Sequence, residues 1–291
     1  MKRAVYVPIF NDYANPSKLV ALSVAAEDAG FDGLFIWDHL VFEPHGALEV
    51  TDAIVALGAI AQATQRLRIG ALITPLARRR PWKFSREMTA LDHLSGGRVV
   101  IGAGLGEPAE LEFGAFGEDP SPRVRAAKLD EALHIVDRLT RGESVTFEGR
   151  YHQVKDARFA PAAIQQPRMP IWVAASLPAR AGLRRAARWD GVVPVQVPQS
   201  VIDNPKAPIV WPEWWLSPDL FGDTVTYVNA RRQNETPFDY VASGRLGDAG
   251  CGDAGLAEYA ARGATWWLDW VDEDAGTFER TLEMVKRGPQ T

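Results

Sequence analysis

The sequence predicts an α/β fold, a (β/α)8 TIM barrel with insertions at the C-terminal face. Short apolar runs alternate with amphipathic stretches along the whole chain. The alternation repeats eight times, and 291 residues is close to the roughly 250 that one such barrel needs. A doubly wound sheet is the alternative, because periodicity alone does not show closure. The chain reads as one domain, residues 1–291.

"RAVYVPIF" is a buried strand, and "PSKLVALSVAAEDAG" a helix with Pro16 near its start and Gly30 past its end. "GLFIWDH" is the second strand. "TDAIVALGAIAQATQ" is its helix, capped by Thr51 or Asp52. "LRIGALITPL" and "PWKFSREMTALDHLSGG" form the third unit, "RVVIGAGLG" and "SPRVRAAKLDEALHIVDRLTRG" the fourth. "PIWVAAS" with "PARAGLRRAARW", and "GVVPVQV" with "SPDLFGDTVTYVNARRQ", are the fifth and sixth. "FDYVASG" with "GDAGLAEYAARG", and "TWWLDWVD" with "TFERTLEMVKRG", complete the count. Residues 143–170 interrupt the pattern as an irregular or hairpin insertion. Residues 198–217, with "WPEWW", form a candidate lid, since insertions after strands overhang the C-terminal face. A peripheral or oligomer-contacting loop is the equal alternative.

Composition narrows the function classes. Lys and Arg number 32 against 37 Asp and Glu, so no overall basic footprint for nucleic acid exists. One cysteine, Cys251, excludes an internal disulfide framework. The charged start leads into a strand rather than a signal peptide, and no apolar run approaches the about 18 residues of a membrane span. The expectation is a soluble cytoplasmic protein without membrane or nucleic-acid partners.

"VVIGAGLGEP", residues 99–108, poses the central question. Gly102, Gly104 and Gly106 do not match the dinucleotide fingerprint, because the segment is the fourth strand and "EPAELEFGAFGEDP" separates it from its helix. A strand end without side chains, against which a flat ligand lies, fits better, with Glu107 at its mouth. The glycines serve equally to permit a tight bend. At the second strand, "FIWDHL" ends in Asp38 and His39, where barrel enzymes carry catalytic groups. An imidazole suits proton transfer near neutral pH. On its own the pair reads as a helix cap beside a surface histidine.

Taken together, four segments make the chain resemble the bacterial luciferase-like flavin oxidoreductases. They are "AAEDAGFDGLFIWDH" (25–39), "LRIGALITPLARRRPWKFSREMTALDHLSGGRVVIGAGLGE" (67–107), "RAAKLDEALHIVDRLTRGESVTFEGRYHQV" (125–154) and "MPIWVAASLPARAGLRRAARWDGVV" (169–193). The resemblance covers residues 1–197 well and the remainder loosely. It implies a barrel that binds a flavin or deazaflavin at its C-terminal mouth. One branch of the family uses FMN with oxygen; the other uses coenzyme F420, a hydride carrier. "DH" followed by "GLGE" resembles the F420 branch. The resemblance implies that His39 and Glu107 flank the ring as proton donors or acceptors, beside Asp38, Gly104 and Gly106. It also implies that "GALITP" supports the ring face through Ala71, Leu72 and Thr74, with a strained backbone, often a non-proline cis peptide, near Ala71 and Leu72. Ala174, Ala175 and Ser176 would cradle a tail or phosphate, with Val195 and Gln196 on the same side. The similar sugar-oxidising enzymes carry Trp four residues after the matching His. Here that residue is Glu43, and Phe42 is the nearest aromatic.

"ARRRP" (77–81) would meet a phosphate or an acidic tail, or is a solvated loop, and Arg123 and Arg125 are equally ambiguous. His39, His45, His93, His134 and His152 form no metal motif, and no G-x-S-x-G elbow occurs. Cys251 reads as a loop or helix-start residue, with a catalytic thiol as the other reading. One of Trp266, Trp267 or Trp270 is a candidate wall of a substrate pocket, with Asp269 near the mouth. Otherwise these tryptophans alternate between interior and helix-facing layers.

The leading expectation is an oxidoreductase exchanging hydride between F420 and a small organic substrate, with His39 or Glu107 handling the proton. An FMN-dependent monooxygenase is the alternative, then a non-catalytic flavin-binding barrel. A glycosidase using Glu107 and Asp269 is the reading without a chromophore. A homodimer and a reductase supplying reduced cofactor are the partners this family resemblance implies.

Overall fold

The computed structural model describes residues 1–42, 49–204, 210–233, 235–247, 250–251, 254–271 and 277–289, with backbone only at 211, 250, 251 and 254. Eight strand–helix units follow one another. They are β1 (Lys2–Val7) and α1 (Pro16–Asp28), β2 (Gly33–Ile36) and α2 (Ala53–Ala63), β3 (Arg68–Ala71) and α3 (Pro81–Ser95), and β4 (Ile101–Gly104) and α4 (Pro122–Thr140). The second half comprises β5 (Ile171–Leu177) and α5 (Ala181–Ala186), β6 (Gly191–Gln196) and α6 (Pro218–Asn229), β7 (Asp239–Arg245) and α7 (Leu256–Ala261), and β8 (Trp266–Trp270) and α8 (Phe278–Lys286). Asn15 caps α1 through the amide of Ser17, and Asp52 caps α2 through that of Val55.

All eight strands are parallel, in the order β3-β2-β1-β8-β7-β6-β5-β4. Their registers include Tyr6 opposite Phe35, Tyr6 opposite Trp270, and Trp172 opposite Gly191. Beyond β3 the chain bends back to the barrel edge, and Thr74–Pro75 pair with Ala103 and Gly104 of β4. Together with the bridge between Ile69 and Val99, this joins β3 to β4 and completes the ring. The doubly wound alternative is thereby excluded, since its sheet has two free edges.

The barrel interior is filled by aromatic rings in two tiers. Phe35, Trp172 and Trp266 form the lower one, with ring centroids 5.2–6.0 Å apart. Tyr6, Trp37 and Trp270 form the upper one, at 4.9–5.9 Å. Such bulk fits because neighbouring strands contribute no side chain at the same level. A Cβ on Gly191 would lie 2.4 Å from Trp172, and one on Gly33 would lie 3.2 Å from Trp266.

The insertion at 143–170 is a hairpin, Val145–Glu148 against Gln153–Ala157. It follows a helix rather than a strand, so it returns to the N-terminal end of the barrel. There Gln165 donates to Asp92 and to the carbonyl of Val99, just before β4. The insertion at 198–217 follows β6 and belongs to the C-terminal end. It packs Trp215 6.4 Å from Trp270, and its Leu216 carbonyl accepts a 2.7 Å hydrogen bond from Tyr259. Among the described residues, no helix is long and apolar enough to cross a membrane.

Candidate active site

Strand alternation points Ile73, Ala174, Val193, Val195 and Ser243 toward the barrel axis, yet each keeps accessible surface. The upper end of the barrel is therefore open to solvent along its axis. Its floor is the Tyr6–Trp37–Trp270 tier. Asp38 and His39 follow β2, and Ala71, Leu72 and Thr74 end the β3 segment. Gly104, Gly106 and Glu107 follow on β4, Ala174, Ala175 and Ser176 end β5, and Val195 and Gln196 end β6. Those positions occupy one arc of five adjacent strand ends. Within that arc Ala71, Leu72, Thr74 and Ala175 are buried, whereas Ser176 is exposed.

The peptide between Leu72 and Ile73 is cis, one bond beyond the pair singled out in the sequence. The Tyr6 hydroxyl donates to the Leu72 carbonyl, tying the arc to β1, and burial pushes the Tyr6 phenol well above its ordinary pKa.

The glycines of β4 make room for this returning segment. A Cβ on Gly102 would come 2.2 Å from the Ala71 carbonyl oxygen, and one on Gly104 would come 1.8 Å from Ile73 Cδ1. Gly106, at φ +84°, would press on Pro75. The close approach is thus made by the protein's own chain. At Gly102 and Gly104 the missing side chains accommodate this returning segment, and Ile73 stands over Gly104.

The polar centre lies around His39. Its Nδ1 is 3.1 Å from Glu112 Oε1, which also accepts from the amides of Leu40 (2.9 Å) and Val41 (3.4 Å). Glu112 Oε2 accepts from Arg78. Arg78 also reaches Asp38 Oδ1 at 2.5 Å, and Arg79 holds Asp38 through both carboxylate oxygens at 2.9 and 2.8 Å. The side chains of Asp38, Glu112 and Arg78 are buried and that of Arg79 is partly exposed, so two cations and two anions balance at the edge of the core. The basic run is accordingly neither a solvated loop nor an open anion site at Arg78 and Arg79; only Arg80 is exposed. Phe10, Trp37 and Phe42 surround the imidazole at 5.1–5.7 Å. Burial and the nearby Arg78 guanidinium push the His39 pKa down to about 4, with Asp38 opposing.

That depression has a signed consequence for stability. Above the unfolded value near 6.5 both states are neutral and the native state loses nothing. Between 6.5 and 4 the unfolded chain takes up a proton that native His39 refuses. Stability is therefore lost as pH falls through this window, by about 3 kcal/mol in full. Denaturant midpoints of wild type and His39→Gln, compared between pH 7 and 4, are expected to converge toward acid; parallel curves would contradict the neutral imidazole.

Glu107 is placed differently from His39. Its side chain is 70% exposed and pairs with Arg125 at 3.0 Å, while its other oxygen takes the Ala109 amide at 3.0 Å. Arg125 is buried over the Phe113 ring and also donates to the carbonyls of Gly106 and Pro120. These contacts fold residues 105–121 into a compact loop whose one-turn helix, Ala109–Glu112, delivers Glu112. Arg123 is exposed. Glu112 was missed in the sequence because it lies in a stretch with no motif. The available signal was an acid beside an aromatic, Phe113, that needs burial.

Asp269 does not approach the mouth. It points outward from β8 and binds Arg3 of β1 at 3.0 and 2.5 Å, both buried under the helices. Trp267 also faces outward, against Tyr259 at 5.0 Å, whereas Trp266 and Trp270 face inward and only Trp270 belongs to the upper tier. The glycosidase reading thereby loses its carboxylate pair. His93, His134 and His152 contact Ala162, Phe147 and Glu131, remote from the strand ends. Glu43, His45 and the side chain of Cys251 lie outside the described residues. Among the described residues no group of three His, Cys, Asp or Glu could hold a metal ion.

The fold and site define a (β/α)8 barrel with a charge-balanced cluster around one histidine, His39, at its C-terminal end. The description "luciferase-like monooxygenase" belongs to the family whose sequence pattern matches residues 1–202, and this chain is a member of that family. It is 37% identical over 166 residues to an F420-dependent glucose-6-phosphate dehydrogenase of Microbacterium testaceum (strain StLB037), across 56% of this chain and 48% of that protein. The chain thus spans about half the length of the curated relatives it matches. Among solved structures it is similar to a coenzyme F420-dependent tetrahydromethanopterin reductase from Methanopyrus kandleri, with TM-score 0.72, 18% identity, and 98% and 97% of the two chains covered. A monooxygenase from Streptomyces bottropensis matches with TM-score 0.72, 21% identity and the same coverage. At these identities the structural likeness is one of fold.

Proposed function

We propose that this protein is an oxidoreductase exchanging hydride between coenzyme F420 and a small organic substrate, with His39 as the proton acceptor. The observation that carries the reading is the placement of His39 at the end of β2, held by Glu112 at 3.1 Å among Phe10, Trp37 and Phe42. An imidazole so oriented is a group able to take the proton that leaves when a carbon–oxygen centre is oxidised. The name of the M. testaceum relative supports the carrier.

The mouth fits such a group. It has an aromatic floor, and its wall carries small residues at Ala174 and Ser176 beside Ile73. Bound there, F420 would supply a ring carbon that takes or gives hydride. Ile73 and the Leu72–Ile73 backbone would support the ring face, with Asp38, Ala71, Thr74, Gly106 and Glu107 behind or beside it. Ala174, Ala175, Ser176, Val195 and Gln196 would hold the remainder. His39 would take the substrate proton, and the aromatic floor would exclude water from it. Glu107 acts in this reading through its loop. A carrier that leaves with its hydride gives it up to a second, F420-linked enzyme, and one that arrives with hydride is loaded there; the proposal also includes a cytoplasmic setting and a homodimer.

Titrating the purified protein with F420 and with FMN, followed by fluorescence, tests the cofactor. F420 is expected to bind more tightly by about tenfold or more, worth about 1.4 kcal/mol. Preference for FMN would replace the reading by an oxygen-dependent monooxygenase. Binding of neither would leave a barrel without this chemistry.

A further inference from the structure

We propose that Glu112 is a positioning residue that fixes His39 in its Nδ1–H tautomer and leaves Nε2 as the acceptor. The inference rests on the function proposed above for its catalytic meaning, but its structural content stands alone. Glu112 is fully surrounded by donors: the Leu40 amide at 2.9 Å, Arg78, and the His39 ring at 3.1 Å. Arg78 can only donate, and the amide can only donate. Oε1 already accepts from the Leu40 and Val41 amides and Oε2 from Arg78, so in the contact with the ring the oxygen is the acceptor and the nitrogen facing it the donor. With His39 neutral, the other nitrogen then holds a lone pair. Among the described residues the one hydrogen bond of the ring is that of Nδ1, which leaves Nε2 as the nitrogen to act on a substrate.

Charge supports the same assignment. Asp38 and Glu112 balance Arg78 and Arg79, and Asp52 adds a weaker attraction for Arg78. The remaining faces of the imidazole meet Phe10, Trp37 and Phe42, which offer it no charge. A second proton on His39 would leave one uncompensated cation beside two guanidinium groups. Glu107 does not compete for this role, being committed to Arg125 and to the Ala109 amide. Its contacts instead brace the turn that carries Glu112.

The test is nitrogen-15 NMR of histidine-labelled wild-type protein without cofactor. His39 is expected as a single neutral species protonated at Nδ1 at pH 7. A neutral ring protonated at Nε2, or an equal mixture, would overturn the proposal, and this measurement needs no variant to fold. Glu112→Gln supplies the second readout. Its amide can accept or donate, so the His39 tautomers are expected to mix. Turnover should fall by about 10- to 100-fold, with the F420 dissociation constant changed less than about threefold. An unchanged tautomer in folded Glu112→Gln would overturn the proposal. If wild type shows the expected tautomer but binds no F420, the positioning role stands and the proposed function fails.

Discussion

Replacing His39 by alanine is expected to lower turnover by about 10²- to 10⁴-fold, the range contributed by a general base. F420 affinity should stay within about threefold, because the arc that would hold the cofactor comes from five strands and His39 supplies only one edge of it. The split between turnover and binding distinguishes lost transition-state stabilisation from lost binding. Alanine also removes a donor to Glu112, but Leu40 and Arg78 still satisfy that carboxylate. The variant should therefore fold. His39→Asn is the control, since its amide can replace the Nδ1–H donor without supplying a base. Equal turnover in wild type and His39→Ala would remove the imidazole from the chemistry.

Asp269→Ala is expected to destabilise the protein by about 3–5 kcal/mol, the cost of leaving a buried partner charge uncompensated. Arg3 and Asp269 join neighbouring strands beneath the helical layer. Burial nevertheless raises the Asp269 carboxyl to about 6, against the lowering influence of Arg3. The pair is therefore costly to bury and costly to break. Replacing both members, as Arg3→Met with Asp269→Leu, should recover most of the loss. Urea midpoints measure both. Cofactor binding by the folded fraction of Asp269→Ala should be unchanged, since the carboxylate faces away from the mouth; a selective loss of binding would return Asp269 to the site.

The eight units were legible because each strand is a short apolar run and each helix has its own start and stop signals, such as Pro16, Asp52 and Gly96. The inward and outward tryptophans of β8 follow from period two. What could not be read was contact between distant loops. Arg78 meets Glu112 34 positions later and Asp38 40 positions earlier, so three successive arginines resembled a solvated run. Glu107, the first acid after the glycines, drew attention by adjacency. The carboxylate beside His39 depends instead on one turn of helix, Ala109–Glu112, that a four-residue segment does not announce. Likewise the hairpin's end of the barrel depends on whether a helix or a strand precedes it.

The cluster around His39 joins loops that follow β2, β3 and β4. For anyone recombining barrels, those three connections are a single exchangeable unit. Transplanting the β4 connection alone would leave Arg78 and His39 facing a foreign side chain. The connection after β6 meets the barrel through Trp215 and Leu216 and, among the described residues, shares no ion pair with that unit. That connection can be varied while the charge cluster around His39 is inherited intact.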